Sequence, residues 1–234
     1  MISTHPRTTA SACAACIRCC QEHRVPLTVF DIQRLAEALK SRGEITDREE
    51  LLARLSRSIT WCRPDELGLQ AEPESWVMLH RHGAIPVLSQ NEQGCRFLVA
   101  EKERENGHGC SIHAQRPLAC QSYPFDRDER RKESDEKLHP SQSFKAPSLP
   151  RGLALHPQVL CPTEQSPLTI LNREKALDIV KQRDQELASN AFAVAQFNQR
   201  IRSLKKLGRR RLEARHFYLY CLSLEPEEEG IVAP

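Results

Sequence analysis

Four cysteines lie within eight residues near the start of the chain, in the stretch CAACIRCC at residues 13–20. Two residues between thiols allow a tight turn to direct both sulfur atoms at one point, as metal ligation requires. Cys19 and Cys20 are adjacent, so their side chains point to opposite sides of an extended chain and diverge by about 100° in a helix. The pair could therefore serve two centres or two metals of one cluster, or contribute one ligand and one neighbouring thiol.

Six further cysteines bring the total to ten in 234 residues. Cys62 and Cys221 stand alone, in WCRP and in the apolar stretch HFYLYCLSL. A lone cysteine is usually a small buried residue rather than a ligand, so we predict that these two pack in the core. The other four lie in GCRFL, HGCSIH, QRPLACQSYPF and VLCP, and they are Cys95, Cys110, Cys120 and Cys161.

The cellular compartment decides between disulfides and metal for such a cluster. The N-terminus lacks a basic segment followed by a long apolar run, so it does not resemble a secretory signal. No stretch approaches the roughly 20 apolar residues of a membrane span. We therefore expect a cytoplasmic protein without membrane association, whose thiols are kept reduced, and this favours metal over disulfides. The net charge is only +3, and we interpret the basic run KKLGRRRLEARHF as a solvated helix rather than a nucleic-acid-binding surface.

A longer series of motifs extends beyond the cysteines themselves. The chain contains, in this order, CAACIRCC, LTVFDIQRLAEAL, GCRFL, GCSIHAQRPLACQSYPF and a later Cys-Pro. This series, over roughly residues 13–162, resembles the YkgJ-like CxxCxxCC cysteine-cluster family, whose members are described as zinc- or iron-chelating proteins. Flagellin lysine N-methylases, regarded as iron–sulfur proteins, carry a similar but more distant arrangement. Ile17 stands where the family usually has glycine, a departure that should not remove a ligand.

The resemblance implies that zinc or an iron–sulfur cluster is bound by eight cysteines: Cys13, Cys16, Cys19, Cys20, Cys95, Cys110, Cys120 and Cys161. A 4Fe–4S cluster is favoured over zinc, because so many thiolates exceed one mononuclear site and C-x2-C-x2-C is a ferredoxin-like spacing. Arg116 could donate hydrogen bonds to the negatively charged thiolates, or pair with a carboxylate instead. His108 and His113 could ligate zinc, although histidines near loops are usually solvated or hydrogen-bonded.

Local patterns predict helices before and after the middle of the chain. In TVFDIQRLAEALKSRG, Thr28 and Asp31 have the spacing of a capping box, and Gly43 can end the helix. A second helix is predicted in TDREELLARLSRSI, with Thr46 as its cap. From about Thr169 onward, apolar residues recur three and four apart, and they predict two helical segments followed by a third in RRRLEARHFYLYCLSL.

The middle of the chain has fewer regular signals. Trp61–Trp76 is predicted to be a loop or short turns, since it contains two prolines and a glycine. Two apolar runs in AIPVLSQNEQGCRFLVAE flank a turn at Gly94 and predict a β-hairpin. The resulting fold class is α+β and mostly helical. We predict a cysteine-rich, metal-stabilised domain with this small hairpin at residues 1–165, a helical segment at 166–224 and an acidic tail at 225–234.

Three functions are compatible with this sequence. The first is a cytoplasmic protein that holds an iron–sulfur cluster or zinc. The second is a metal-dependent protein-modifying enzyme of the methylase or oxidoreductase kind; no nucleotide-binding glycine loop, nucleophile elbow or HExxH motif occurs, so catalysis would depend on the metal. The third is a zinc-stabilised interaction module whose C-terminal helices bind a protein partner. A brown protein would favour iron–sulfur, and a colourless one with stoichiometric zinc the third function.

Overall fold

The computed structural model describes residues 18–43, 45, 47–67, 76–79, 82–100, 108–123, 125–127, 153–155, 173–206 and 213–224. The helices in this part of the chain are α1 (Arg18–Glu22), α2 (Val29–Ser41), α3 (Arg48–Ser58), α4 (Leu118–Ser122), α5 (Arg173–Lys206) and α6 (Ala214–Cys221). The strands are β1 (Ile59–Cys62), β2 (Val77–Leu79), β3 (His82–Leu88), β4 (Gln90–Asn91), β5 (Gly94–Cys95), β6 (Leu98–Ala100), β7 (His108–Cys110), β8 (Phe125–Arg127) and β9 (Leu153–Leu155). The predicted α+β, mostly helical fold class is confirmed.

The chain divides into two compact units. The first unit contains α1, the short strand pairs β4–β5, β6–β7 and β8–β9, helix α4 and the first part of α5. The second contains α2, α3, the three-stranded sheet β1–β3–β2, the remainder of α5 and helix α6. No helix among the described residues is both long enough and apolar enough to cross a membrane.

Helix α2 is the best-defined element of the second unit. The Thr28 side chain accepts a hydrogen bond from the Asp31 N–H and the Asp31 carboxylate accepts one from the Thr28 N–H, so the predicted capping box is confirmed. Gly43 has φ +70° just beyond the helix, as its predicted stop requires. The Val29 N–H donates to Asn190 Oδ1 of α5 at 2.9 Å, which satisfies another helix-end donor.

An ion-pair network joins α2 to the part of α5 in the same unit. Arg34 donates to Glu186 through both terminal nitrogens, at 2.8 and 2.7 Å, and also contacts Asp31. The Asp31 side chain is only 2% exposed. Burial alone would lower the pKa of Arg34, but the carboxylates of Glu186 and Asp31 raise it above its usual value. The guanidinium therefore stays charged and compensates two carboxylates.

Two sequence-based predictions are wrong in detail in this unit. Helix α3 is capped by Asp47, whose side chain accepts from the Glu50 N–H at 2.8 Å, and not by Thr46. An aspartate at the cap is also favoured by the positive end of the helix dipole. The segment from Trp61, predicted as a loop or short turns, begins within strand β1, which pairs with β3 from Ile59↔Leu88 to Cys62↔Ile85. A short 3-10 turn at Pro64–Leu67 follows, in agreement with the predicted turns.

The helical C-terminal half also differs from its prediction. One 34-residue helix, α5, replaces the two predicted segments, because the residues between them include neither glycine nor proline. The predicted third helix is present as α6, and its aromatic residues build the core of the second unit. Phe217 packs edge-on against Trp61 at 5.6 Å and Phe197 at 5.0 Å, measured between ring centroids. These contacts join α6 to β1 and to α5 within the second unit.

A side chain of α5 forms hydrogen bonds with the backbone at one edge of the sheet in the second unit. Asn198 of α5 accepts from the Met78 N–H and donates to the Trp76 carbonyl, both at 2.8 Å. Strand β2 pairs with β3 from Val77↔Ala84 to Leu79↔His82 and is the outer strand of the order β1–β3–β2. The amide of Asn198 therefore occupies backbone groups that a neighbouring strand would otherwise use.

The predicted hairpin is present but short. Strands β4 and β5 pair only at Gln90↔Cys95 and Asn91↔Gly94, around the turn that was predicted at Gly94. The apolar run before it does not continue the hairpin, because β3 pairs with β1 and β2 of the second unit instead. The run after it ends in β6, which pairs with β7.

Candidate metal centre

Helix α1 carries the adjacent cysteines of the CAACIRCC stretch. Cys19 and Cys20 are both partly buried. Neighbouring side chains in an ideal helix diverge by about 100°, but the Cys20 side chain is near enough to raise the pKa of Cys19. The arrangement favours a shared centre for the pair over two separate ones.

Gly94 brings the β4–β5 hairpin against the backbone of α1. A Cβ atom at this position would lie 2.6 Å from both the Cys20 carbonyl oxygen and the Gln21 Cα, closer than side chains pack. Its φ of +111° is also a conformation that favours glycine. The absence of a side chain at Gly94 is thus what allows Cys95, the next residue, to lie near α1.

Cys95 and Cys110 belong to consecutive strand pairs of the first unit. Cys110 pairs with Leu98 in the β6–β7 ladder, and the Ser111 N–H donates to the Phe97 carbonyl at 2.9 Å. Only two residues separate Cys95 from Leu98, so the pairing of Leu98 with Cys110 also keeps Cys95 close to Cys110. Burial raises the pKa of Cys95, and the thiols of Cys110 and Cys19 raise it further. The three thiols are therefore close enough to interact electrostatically.

The thiols of Cys19 and Cys95 resist ionisation in the absence of a cation. The hydrogen bond with Cys20 raises the pKa of Cys19 well above the usual value for a thiol, and burial adds to this. A zinc or iron ion would reverse the balance, because it replaces the thiol protons with positive charge. Soft sulfur donors are the ligands that zinc and iron–sulfur centres use, so the donor set fits either group.

Cys120 lies on the short helix α4 and is partly buried. Tyr123 follows this helix, with its N–H donating to the Ala119 carbonyl at 3.2 Å. The Tyr123 ring lies edge-on to the ring of His23, with 5.4 Å between centroids. His23 comes directly after α1, so α4 and α1 meet through these two rings. Cys120 is thus carried by an element in contact with the end of the Cys19–Cys20 helix.

His23 was not among the sequence-based candidates. The signal that could have identified it is its spacing, since it follows Cys19 by four residues and Cys20 by three, and such residues share one helix face. The predicted candidates His113 and Arg116 lie near α4. His113 is exposed, and Arg116 is partly buried in the turn before α4. The role of Arg116 at the metal stays a prediction.

The two cysteines predicted to pack alone lie in the second unit. Cys62 is 3% exposed on β1 and accepts a long hydrogen bond from Arg24 Nη1 at 3.5 Å. Cys221 at the end of α6 is fully buried, and this burial raises the pKa of its thiol. By contrast, every described member of the predicted ligand set lies in the first unit: Cys19, Cys20, Cys95, Cys110 and Cys120.

Three predicted ligands, Cys13, Cys16 and Cys161, lie outside the described residues, as do the side chains of His80, His82 and His108. Within the described part of the chain, no group of three or more cysteine, histidine, aspartate or glutamate side chains is arranged to hold a metal ion. None of the seven described cysteines forms a disulfide.

In a comparison with protein-family models, residues 12–139 match a known family. The matching family is CxxCxxCC, described as "Putative zinc- or iron-chelating domain". The chain belongs to this family. The CxxCxxCC match includes seven of the eight predicted ligands and ends before Cys161. No curated protein and no solved structure matches the chain. The similarity to flagellin lysine N-methylases stays a hypothesis.

Proposed function

We propose that this protein holds an iron–sulfur cluster or a zinc ion through the eight-cysteine set named above. The observation that supports this most directly is the grouping of Cys19, Cys20, Cys95 and Cys110 in one unit. These residues come from three separate stretches of the chain, and packing alone gives no reason for buried thiols to gather. Membership of the CxxCxxCC family points to the same metals.

An iron–sulfur cluster is the form that we favour. Eight thiolates exceed the four ligands of a structural zinc ion, and three cysteines at C-x2-C-x2-C are the ferredoxin-like spacing. When bound, such a cluster would supply one-electron chemistry, whereas zinc would supply structural cross-linking. In either case the chain itself positions the thiolates, excludes water from Cys95 and releases the thiol protons on loading.

The cytoplasm is the compartment that we propose, because reduced thiols are available for ligation there. Metal binding also contributes to folding, since a site that exists only in the folded state adds its binding free energy to stability. Among its described residues, the first unit has few long elements of its own, since these residues form short strand pairs and two five-residue helices besides the start of α5. We expect its stability to depend on the metal more than that of the second unit.

The test is anaerobic purification followed by metal analysis of the wild type and two serine variants. Cys95→Ser removes a buried thiol of the first unit, and Cys62→Ser is the matched control because Cys62 is equally buried in the second unit. Stoichiometric iron with inorganic sulfide, or stoichiometric zinc, should be present in the wild type and Cys62→Ser but reduced in Cys95→Ser. A wild type without either metal, or equal metal content in the two variants, would refute the proposal.

A further inference from the structure

His23 stands at helical spacing from the cysteine pair. The backbone N–H of His23 donates to the Cys19 carbonyl at 3.1 Å, which extends the hydrogen bonding of α1 by one residue. Side chains three and four positions apart lie on one face of a helix, and a helical side chain leans back over the preceding turn. His23 is the residue directly after α1, so it lies about one helical turn beyond Cys19 and Cys20.

The backbone at His23 is fixed by the same hairpin that carries Cys95. Gln90 Nε2 donates to the His23 carbonyl at 2.9 Å, and Gln90 is the register partner of Cys95 in the β4–β5 pair. The close approach of Gly94 to Cys20 holds the preceding turn of α1 against the same hairpin. His23 thus keeps a defined position relative to thiols on both elements.

The ring of His23 is oriented from its other side by Tyr123. The two rings meet at an interplanar angle of 63°, with Tyr123 following the helix that carries Cys120. The Nε2 atom of His23 is buried although the residue as a whole is partly exposed. An imidazole in such surroundings makes stronger polar contacts than one in water.

From this geometry we propose that His23 is a positioning residue of the metal centre, whose ring N–H donates to a thiolate sulfur of the Cys19–Cys20 pair in the metal-loaded protein. The inference rests on the proposed function. Thiolate ligands carry excess negative charge, and an N–H donor stabilises that charge and fixes the direction of the sulfur lone pairs. Loss of a partner of this kind typically weakens metal binding by about 10–100-fold without removing a ligand.

Two substitutions separate donation from packing and from direct ligation. His23→Gln keeps an N–H donor of similar reach, whereas His23→Leu keeps apolar volume and removes the donor. Each protein is reduced, freed of metal and loaded anaerobically with cobalt(II) alone. The d–d bands of the bound cobalt report its ligand set, and the thiolate-to-cobalt charge-transfer band reports the electron density on sulfur.

The proposal expects the same cobalt stoichiometry and d–d pattern in all three proteins. His23→Leu should shift the charge-transfer band and release cobalt to a chelator about 10-fold faster, while His23→Gln should keep wild-type values. Urea unfolding of the metal-free proteins should be similar for the two variants, since both lose the same ring contact with Tyr123.

Three results would overturn the inference. Wild-type behaviour of His23→Leu would show that the imidazole does not act on the thiolates. If His23→Gln and His23→Leu release cobalt equally faster than the wild type and both alter the d–d bands, His23 is a direct ligand. If both release cobalt equally faster but the d–d bands are unaltered, the ring is a packing group only. A wild type that binds neither cobalt, zinc nor iron would refute the proposed function and this inference together, whereas binding with an unchanged His23→Leu refutes this inference alone.

Discussion

Replacing Gly94 by alanine should move the helix that carries Cys19 and Cys20 away from the hairpin that carries Cys95. At φ +111° an alanine is strained by about 1–3 kcal/mol. Its Cβ would also lie 2.6 Å from backbone atoms of Cys20 and Gln21, where ordinary contact begins at 3.4 Å. Because those atoms are backbone, relief requires α1 to shift, at an overpacking cost of about 1–3 kcal/mol. The two effects together give a destabilisation of about 2–6 kcal/mol.

Gly43 supplies a matched control for this substitution. It also has positive φ, at +70°, but a Cβ atom there would have no neighbour within 4 Å. Gly43→Ala should therefore lose only the conformational preference of glycine, about 1 kcal/mol. Gly94→Ala should therefore destabilise the protein more than Gly43→Ala, by the contact with α1 together with the greater strain at φ +111°.

Urea denaturation of the metal-free proteins measures the loss of stability. Competition with a zinc chelator measures the change in zinc affinity. Gly94→Ala should weaken zinc binding at least about tenfold, since its thiols are no longer held together, while Gly43→Ala should bind as the wild type does. Equal destabilisation by the two variants would refute the packing argument. A destabilised Gly94→Ala with wild-type zinc affinity would refute the idea that this contact positions the ligands.

Three further predictions concern the second unit. Arg34→Met should cost about 3–5 kcal/mol in urea denaturation, because it removes the cation that compensates buried carboxylates; Arg54→Met, whose partner Glu50 is about one-third exposed, should cost less than about 1 kcal/mol. Burial raises the pKa of Tyr218 to about 12, against the hydrogen bond from Trp61, which lowers it. The folded state therefore keeps the phenol proton to a higher pH than the unfolded state does. The free energy of unfolding should fall by about 2 kcal/mol between pH 10 and 12, and Tyr218→Phe should lack this decrease. Cys221→Ala should cost about 1 kcal/mol and leave metal content unchanged.

Local chemistry made part of this fold predictable. The Thr28–Asp31 capping box and the stop at Gly43 depend on residues within one turn of each other, and both were recognised correctly. The cap of α3 was placed one residue early, because Thr46 and Asp47 are both good acceptors and only geometry chooses between them. The division at residues 165 and 224 stays a prediction.

The pairing between strands that are far apart in the chain could not be predicted from the sequence. The run AIPVL reads equally well as half of a hairpin or as a strand between two others, and its partners in β1 and β2 are set by packing far along the chain. The ligand set was suggested by motif order, but the contacts of Cys95 with Cys19 and Cys110 depend on how hairpin and helix pack. His23 was missed because its spacing of three and four residues from the cysteine pair is only that of a shared helix face and matches no recognised metal-binding motif.

Asn198 has a consequence for how this protein behaves at high concentration. An outer β-strand with free backbone groups can add a strand from another molecule, and repeated addition leads to aggregation. By donating to Trp76 and accepting from Met78, the Asn198 amide blocks that addition at the outer edge of β2 without a strand of its own. A helix side chain thus covers this strand edge, and Asn198→Leu, which fills similar space without those hydrogen bonds, should increase self-association through the sheet.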